Sequence, residues 1–152
     1  MKKQILTIVA TLGFMFVFAG LSVNAQMHGQ LAANIPFNFY AGNQKFTPGE
    51  YMIASANPLS QTGGAILVFR QRDGKASRFI NLQPEELPGE NTEAKPTLIF
   101  NHYGSEYFLS EVRNPSQNFG ARSVPSKVEK NVARSFGAAI PRIVAMNTSK
   151  IK

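Results

Sequence analysis

An alternation of apolar and polar side chains with a period of two runs through the middle of the chain. Ile35, Phe37 and Phe39 alternate with less apolar neighbours, and residues 65–71 again follow a two-residue rhythm. Because successive side chains of a strand point to opposite faces, this pattern predicts strands with one buried face. Pro36 lacks a backbone N–H donor, so it predicts a sheet edge or a bulge in the first strand.

Turn sequences separate these runs and indicate how the first strands pair. The turn chemistry of Thr47-Pro48-Gly49 leads into an extended run over 50–56, which we expect to pair with the first strand. The dipeptide Asp73-Gly74 is a type I′ hairpin signal, and it predicts that residues 65–71 pair with residues 75–82.

The clearest hairpin pattern is the last one. Residues 97–103 and 106–113 alternate around the turn Gly104-Ser105, and an acidic, proline-rich stretch over 84–96 precedes them as an expected exposed loop. Six strands joined mostly by short turns predict a mainly β protein, an antiparallel meander that forms a small barrel or a two-layer sandwich. We favour the barrel slightly because closure removes the sheet edges.

The C-terminal part of the chain changes to the period of a helix. Ser126 and Glu129 form a capping-box pattern at its start, and Gly137 and Pro141 are typical of its end, with a frayed or weakly extended tail over 142–152. The apolar stripe consists of Val128, Val132 and Phe136, and the opposed basic stripe consists of Lys127, Lys130 and Arg134. The pattern predicts a short, basic amphipathic helix.

The N-terminus has the three parts of a secretory signal. Lys2 and Lys3 precede an apolar run over 5–21, and Val23-Asn24-Ala25 supplies the small residues of a cleavage site. A membrane anchor is the competing interpretation, but no positive cluster follows the run. We therefore expect an exported protein, periplasmic or secreted, that has no transmembrane span after cleavage.

This interpretation divides the chain into a signal peptide (1–25), a β domain (26–121) and a basic helix with a tail (122–152). The β domain carries seven basic and eight acidic residues, a net charge of −1, whereas the C-terminal part carries seven basic residues and one acidic residue, a net charge of +6. Such asymmetry predicts that Lys127 and its basic neighbours Lys130 and Arg134 contact an anionic envelope surface or an envelope protein, and not nucleic acid. The alternative is that the apolar stripe packs on the β domain while the basic residues face water.

Residue patterns for catalysis or for metal and cofactor binding are lacking in the sequence. Asp73 is the sole aspartate, the two histidines His28 and His102 are far apart, and the chain contains no cysteine. The acidic loop, with Glu85, Glu86, Glu90 and Glu93, is better explained by solvation than by calcium binding. We therefore expect a non-enzymatic protein without a cofactor, whose function is binding or interaction.

Aromatic side chains on the predicted strands leave a second functional hypothesis open. The five phenylalanines concerned are Phe37, Phe39, Phe69, Phe100 and Phe108. In a small barrel they would fill the core or line a cavity for a small apolar ligand, which would make the protein a carrier. Core filling is favoured, because a chain without disulfides depends on close packing.

Several segments together resemble a family. They are the run from Ala33 to Asn43 (ANIPFNFYAGN), Pro48-Gly-Glu-Tyr51, Leu98 to Gly104 (LIFNHYG) and Tyr107 to Val112 (YFLSEV). The chain is similar over most of residues 30–135 to small exported bacterial proteins of unknown function with an IPFxFxxG…PxGxY opening and a YGxxYFLxxV hairpin. The resemblance implies a shared β fold and export, and it implies no catalytic residues.

Overall fold

The structure is a computed structural model that describes residues 30–56, 65–74, 77–86 and 93–148. The predicted signal peptide (1–25) lies outside the described residues. His28, which was considered for catalysis, and Glu90, which was considered for calcium binding, also lie outside the described residues.

The described residues form eleven strands, one α-helix and a short 3-10 helix. The strands are β1 (Leu31–Ile35), β2 (Phe39–Ala41), β3 (Gln44–Phe46), β4 (Gly49–Ser55), β5 (Ala65–Gln71), β6 (Ser77–Glu85), β7 (Thr97–Tyr103), β8 (Glu106–Asn114), β9 (Phe119–Arg122), β10 (Ile140–Ala145) and β11 (Asn147–Thr148); the helix is α1 (Lys127–Phe136), and the 3-10 helix is Pro115–Gln117. All strands belong to one sheet, in the order β10-β7-β8-β9-β6-β5-β4-β1-β11, with the β2–β3 hairpin attached to β8.

The mainly β class is confirmed, but the six-stranded meander and the barrel were wrong. The two end strands of the sheet, β10 and β11, are joined through Met146, yet they pair with β7 and β1 respectively and not with each other. The sheet therefore stays open. A continuous hydrogen-bonded path joins the strands of the described residues.

Pro36 divides the first predicted strand into two, and this is one source of the additional strands. The part before it, β1, pairs antiparallel with β4 through Ile35 and Gly49, which confirms the expected pairing. The part after it, β2, pairs with β3 and runs parallel to β8, with Tyr40 beside Phe108. A proline cannot donate to a ladder, so the chain changes partners at this position.

The hairpin of β5 and β6 is confirmed, with Arg70 opposite Ser77, but its turn differs from the predicted type I′. The Gly74 N–H donates to the Gln71 carbonyl at 2.9 Å, and Gly74 has a φ of 73°. Asp73 is not among the described residues with a positive φ, whereas a type I′ turn requires a positive φ at both central residues. Glycine alone supplies the left-handed conformation here.

Strand β6 also extends beyond the predicted end at Leu82, into the expected loop. Its last residues, from Gln83 to Glu85, pair with β9, and Pro84 lies opposite Ala121. The ladder between β5 and β6 ends at Leu82, so Pro84 has a sheet neighbour on one side. A proline is tolerated at such an edge position because its missing donor faces away from the ladder.

The core lies on one face of this sheet and is built around aromatic rings. Phe39 is fully buried, and its ring centroid lies 4.8 Å from that of Phe46 and 5.3 Å from that of Phe100. The other large, fully buried side chains of this core are Ile35, Phe69, Leu98, Leu109, Val112 and Met146. Burying each large apolar side chain contributes about 1.5–3 kcal/mol, so packing can stabilise the fold without disulfides.

Candidate functional site

Helix α1, which carries the predicted basic stripe, forms where the sequence predicts it. The Ser126 Oγ accepts a hydrogen bond from the Glu129 N–H at 3.1 Å, which satisfies one of the free donors at the start of the helix. The helix ends at Phe136, and Gly137 follows with a φ of 82°. Residues 140–145 form the edge strand β10, which pairs with β7 along its whole length. A frayed or weakly extended tail was expected over 142–152, of which residues 149–152 lie outside the described residues.

The acidic residue of the capping box makes a contact that the sequence did not predict. Glu129 is 5% exposed, and its Oε1 accepts from Nδ2 of Asn101 on β7 at 2.8 Å. A buried carboxylate requires a polar partner, and Asn101 provides one on the face of the sheet opposite to the core. Glu129 therefore anchors the helix to β7, and spacing along the helix alone gave no sign of it.

The three basic residues of the helix point away from the sheet. Lys127, Lys130 and Arg134 are all exposed, and at 100° per residue they lie within about 60° of one another around the helix. The sheet-facing side carries Glu129 and the half-buried Ala133. The structure thus brings the three predicted contact residues together on one solvent-facing stripe.

The apolar stripe is only partly covered by the β domain. Val132 is half-buried, but Val128 is 43% exposed and Phe136 is 60% exposed. The Phe136 ring lies over the turn at Gly104. A Cβ atom added to Gly104 would lie 2.6 Å from Cε1 of that ring. The apolar stripe is therefore neither fully packed on the β domain nor fully exposed.

Exposed apolar side chains are concentrated in the same part of the chain. Six large ones are exposed among the described residues, and five of them are Val124, Val128, Phe136, Ile140 and Ile143. The sole acidic residue of the C-terminal part, Glu129, is buried, so the charges exposed on this part of the described chain are positive. The surface combines apolar groups with unopposed positive charge.

Pairing of β10 with β7 shows which of these residues share a face. Ile143 lies opposite Ile99, two residues from Asn101, and therefore on the face that carries the helix. Ile140 lies on the other face, opposite His102. We call Lys127, Val128, Lys130, Arg134, Phe136 and Ile143 the C-terminal surface.

The phenylalanines named as core or ligand contacts occupy three different environments. Phe39, Phe69 and Phe100 are buried in the core, whereas Phe37 is half-buried at its rim, with its ring stacked 3.9 Å from that of Tyr107. Phe108 is buried outside that core.

Phe108 belongs to a small aromatic cluster on the helix side of the sheet. Its ring lies 5.1 Å from Tyr40 and 5.9 Å from Tyr103. Burial, with a smaller contribution from the Glu129 carboxylate, raises the pKa of Tyr103 above its ordinary value. This cluster and the Asn101–Glu129 bond together position the helix.

Side chains considered for catalysis or metal binding have structural roles in the described residues. The ring centroids of His102 and Tyr107 lie 4.2 Å apart in a stacked arrangement. Glu85 pairs with Arg122 at 2.7 Å. Among the described residues there is no group of three histidine, aspartate or glutamate side chains that could hold a metal ion.

The fold and this surface define a mainly β protein with one docked, basic helix. No protein-family model, curated protein or solved structure matches the chain. Within the described ranges, no helix has the length and apolar character needed to span a bilayer.

Proposed function

We propose that this chain is an exported, non-enzymatic binding protein of the cell envelope, which contacts an anionic lipid surface through its C-terminal surface. One observation carries the proposal. The exposed apolar residues Val128, Phe136 and Ile143 lie on the same side of the sheet as the stripe of Lys127, Lys130 and Arg134. Proteins that bind at membrane interfaces combine these two chemical features.

The magnitudes favour reversible, salt-dependent binding. A lysine or arginine near an anionic membrane contributes about 1 kcal/mol, so the three basic residues supply roughly 3 kcal/mol at low ionic strength. Partial insertion of the exposed Val128 adds to this, because fully burying such a side chain contributes about 1.5–3 kcal/mol. Neither contribution suffices alone for stable attachment. We expect binding to weaken as salt screens the charges.

Co-sedimentation with vesicles tests the proposal. The chain purified after export is mixed with phosphatidylglycerol-containing vesicles and with phosphatidylcholine vesicles. We expect binding to the anionic vesicles alone, and a loss of about tenfold or more in the double variant Lys127→Gln/Lys130→Gln. The matched control is Arg70→Gln/Lys95→Gln, which removes two exposed charges elsewhere on the described chain. Equal losses in both double variants would refute a specific role for the helix.

The second hypothesis, a carrier of a small apolar ligand, has less support. The buried rings of Phe39, Phe69 and Phe100 pack against other aromatic rings, at centroid distances of 5.3 Å for Phe39–Phe100 and 6.3 Å for Phe39–Phe69. Side chains that fill a core in this way leave less room for a ligand. Native mass spectrometry of the exported chain would show a carrier by an extra mass that is lost on denaturation.

A further inference from the structure

Strand β10 forms one end of the sheet, and in the part of the chain that the structure describes its outer side has no hydrogen-bonded strand beside it. All six of its residues pair with β7 on the inner side. Five of the six are exposed, among them Ile140 at 65% and Ile143 at 62%. An exposed edge strand of this kind is where an extended peptide can add a further strand to a sheet.

The ladder with β7 fixes which backbone groups of β10 point outward. The Met146 N–H donates to the Pro96 carbonyl at 2.8 Å, one step beyond the last pair of the ladder. In an antiparallel ladder, hydrogen-bonded and non-hydrogen-bonded pairs alternate along the strand. The even-numbered residues of β10 therefore bond to β7, whereas Pro141 and Ile143 turn their backbone groups away from it.

The position of Pro141 agrees with this assignment. A proline lacks the N–H donor, so a sheet accommodates it where that donor would point away from the ladder. The open side of β10 therefore presents the N–H and C=O of Ile143 and the C=O of Pro141. No backbone hydrogen bond outside the ladders joins these groups to another described residue.

Arg142 determines the chemistry of a partner that fits this edge. Its side chain is exposed and lies on the same face as that of Phe100, its neighbour on β7. The ion pairs between described residues do not include Arg142. Glu129, the sole acidic residue of the C-terminal part, is buried against Asn101 on the opposite face. A partner with an acidic residue opposite Arg142 therefore gains a cross-strand pair of opposite charges.

A second copy of the chain fits this edge less well. Two copies can pair antiparallel about Ile143, because its outward N–H and C=O are complementary to the same groups of another copy. That pairing brings together two C-terminal parts that each carry a net charge of +6. Their one acidic residue is buried, so no exposed carboxylate of these parts offsets the repulsion.

From this arrangement we infer that the open side of β10 binds an extended acidic segment of a partner protein as an additional antiparallel strand. The segment places an apolar residue opposite Ile143 and an aspartate or glutamate opposite Arg142. The residue opposite Ile143 exchanges both backbone hydrogen bonds with it, and the residue opposite Pro141 donates to the Pro141 carbonyl. This interaction goes beyond the proposed lipid contact, since it uses the backbone of β10 and the side chain of Arg142, which is not part of the C-terminal surface.

A peptide of alternating valine and glutamate tests the inference, with a peptide of alternating valine and lysine as the comparison. Binding to the ¹⁵N-labelled exported chain is followed by NMR titration without lipid, so the result does not depend on vesicle binding. We expect saturable binding of the glutamate peptide alone, with amide shifts concentrated over residues 140–145.

The charge of Arg142 is tested by one substitution and a matched control. Arg142→Gln should weaken binding of the glutamate peptide about fivefold, because it removes the cross-strand charge pair. Arg70→Gln removes an exposed charge on β5 and should leave the affinity nearly unchanged. The amide spectra of both variants also report whether each one is folded.

Two further substitutions change the outward donors of the edge in opposite directions. Ile143→Pro removes the outward N–H and no bond to β7, so it should weaken binding about tenfold relative to Ile143→Ala, which keeps that donor. Pro141→Ala supplies the missing donor and should tighten binding about fivefold. A gain of affinity does not result from a loss of folding, so Pro141→Ala stays informative if Ile143→Pro does not fold.

Three binding results would each overturn the inference. They are an affinity for the lysine peptide that equals or exceeds that for the glutamate peptide, an equal loss in Arg70→Gln and Arg142→Gln, and an unchanged affinity in Pro141→Ala. Sedimentation velocity of the free chain tests the second copy as occupant. A monomer agrees with the inference, whereas a dimer that Ile143→Pro dissociates would assign the edge to self-association and overturn it.

Discussion

Replacing Glu129 with alanine removes the bond that anchors helix α1 to strand β7. In the native protein the Asn101 Nδ2 donates to the Glu129 Oε1 over 2.8 Å, and the glutamate is 5% exposed. Hydrogen bonds to charged groups contribute about 1.5–3 kcal/mol to stability, and the substitution also leaves the half-buried Asn101 amide without this partner. We expect Glu129→Ala to lower the free energy of unfolding by about 2 kcal/mol.

A double-mutant cycle separates the bond from other effects of the substitution. The single variant also removes the desolvation cost of the carboxylate and leaves the Asn101 amide unpaired, so its loss of stability does not equal the interaction energy. We expect Glu129→Ala, Asn101→Ala and the double variant to give a coupling energy of about 1.5 kcal/mol in urea unfolding. Asn131→Ala, at an exposed position of the same helix, should change stability by less than about 0.5 kcal/mol.

Hydrogen exchange locates the effect in the structure. If the bond anchors the helix, amides of residues 131–136 exchange faster in Glu129→Ala, while amides of the buried strand β7 change less. A coupling energy below about 0.5 kcal/mol, together with unchanged exchange in the helix, would refute the assigned role of Glu129.

Three further predictions concern the surroundings of the helix. Ser126→Ala removes the N-cap acceptor of helix α1 and should lower the free energy of unfolding in urea by about 1 kcal/mol. An unchanged free energy of unfolding would contradict a stabilising cap. Gly104→Ala places a Cβ 2.6 Å from the Phe136 ring at a φ of 60°, so we expect a loss of about 1–2 kcal/mol. In a Phe136→Ala background that loss should become smaller, and an unchanged loss would show that backbone strain alone accounts for it. The pKa of Tyr103 is raised in the native state, so the folded protein keeps this proton above pH 10 while the unfolded chain loses it. The resulting contribution to folding stability is fully present below about pH 10 and is lost as pH rises through the native pKa. Tyr103→Phe should show a shallower decline in stability than the native protein above pH 10, and parallel curves would contradict the burial of this hydroxyl.

Local chemistry accounts for the elements that the sequence predicted correctly. The hairpin turn before Glu106 uses Gly104 at a φ of 60°, and helix α1 begins at the Ser126 cap and ends before Gly137. These features depend on residues within a few positions of one another, so their patterns are readable along the chain. The exposure of Lys127, Lys130 and Arg134 follows from the same helical period.

Long-range pairing decided what the sequence did not predict. Pro36 ends β1, but the parallel contact of β2 with β8 depends on residues about 70 positions away. The pairing of β10 with β7 likewise converts an expected frayed tail into an edge strand. Sheet closure depends on the partners of the end strands, and no local pattern specifies those partners.

The sequence by itself therefore determined the β class, the helix with its cap, and the excess of positive charge in the C-terminal part. Only the tertiary structure placed Glu129 against Asn101 and left Val128 and Phe136 exposed. The physical reason is that periodicity encodes which face of an element is apolar, whereas contact between two elements depends on strand order and register. The candidate binding surfaces depend on strand order and register.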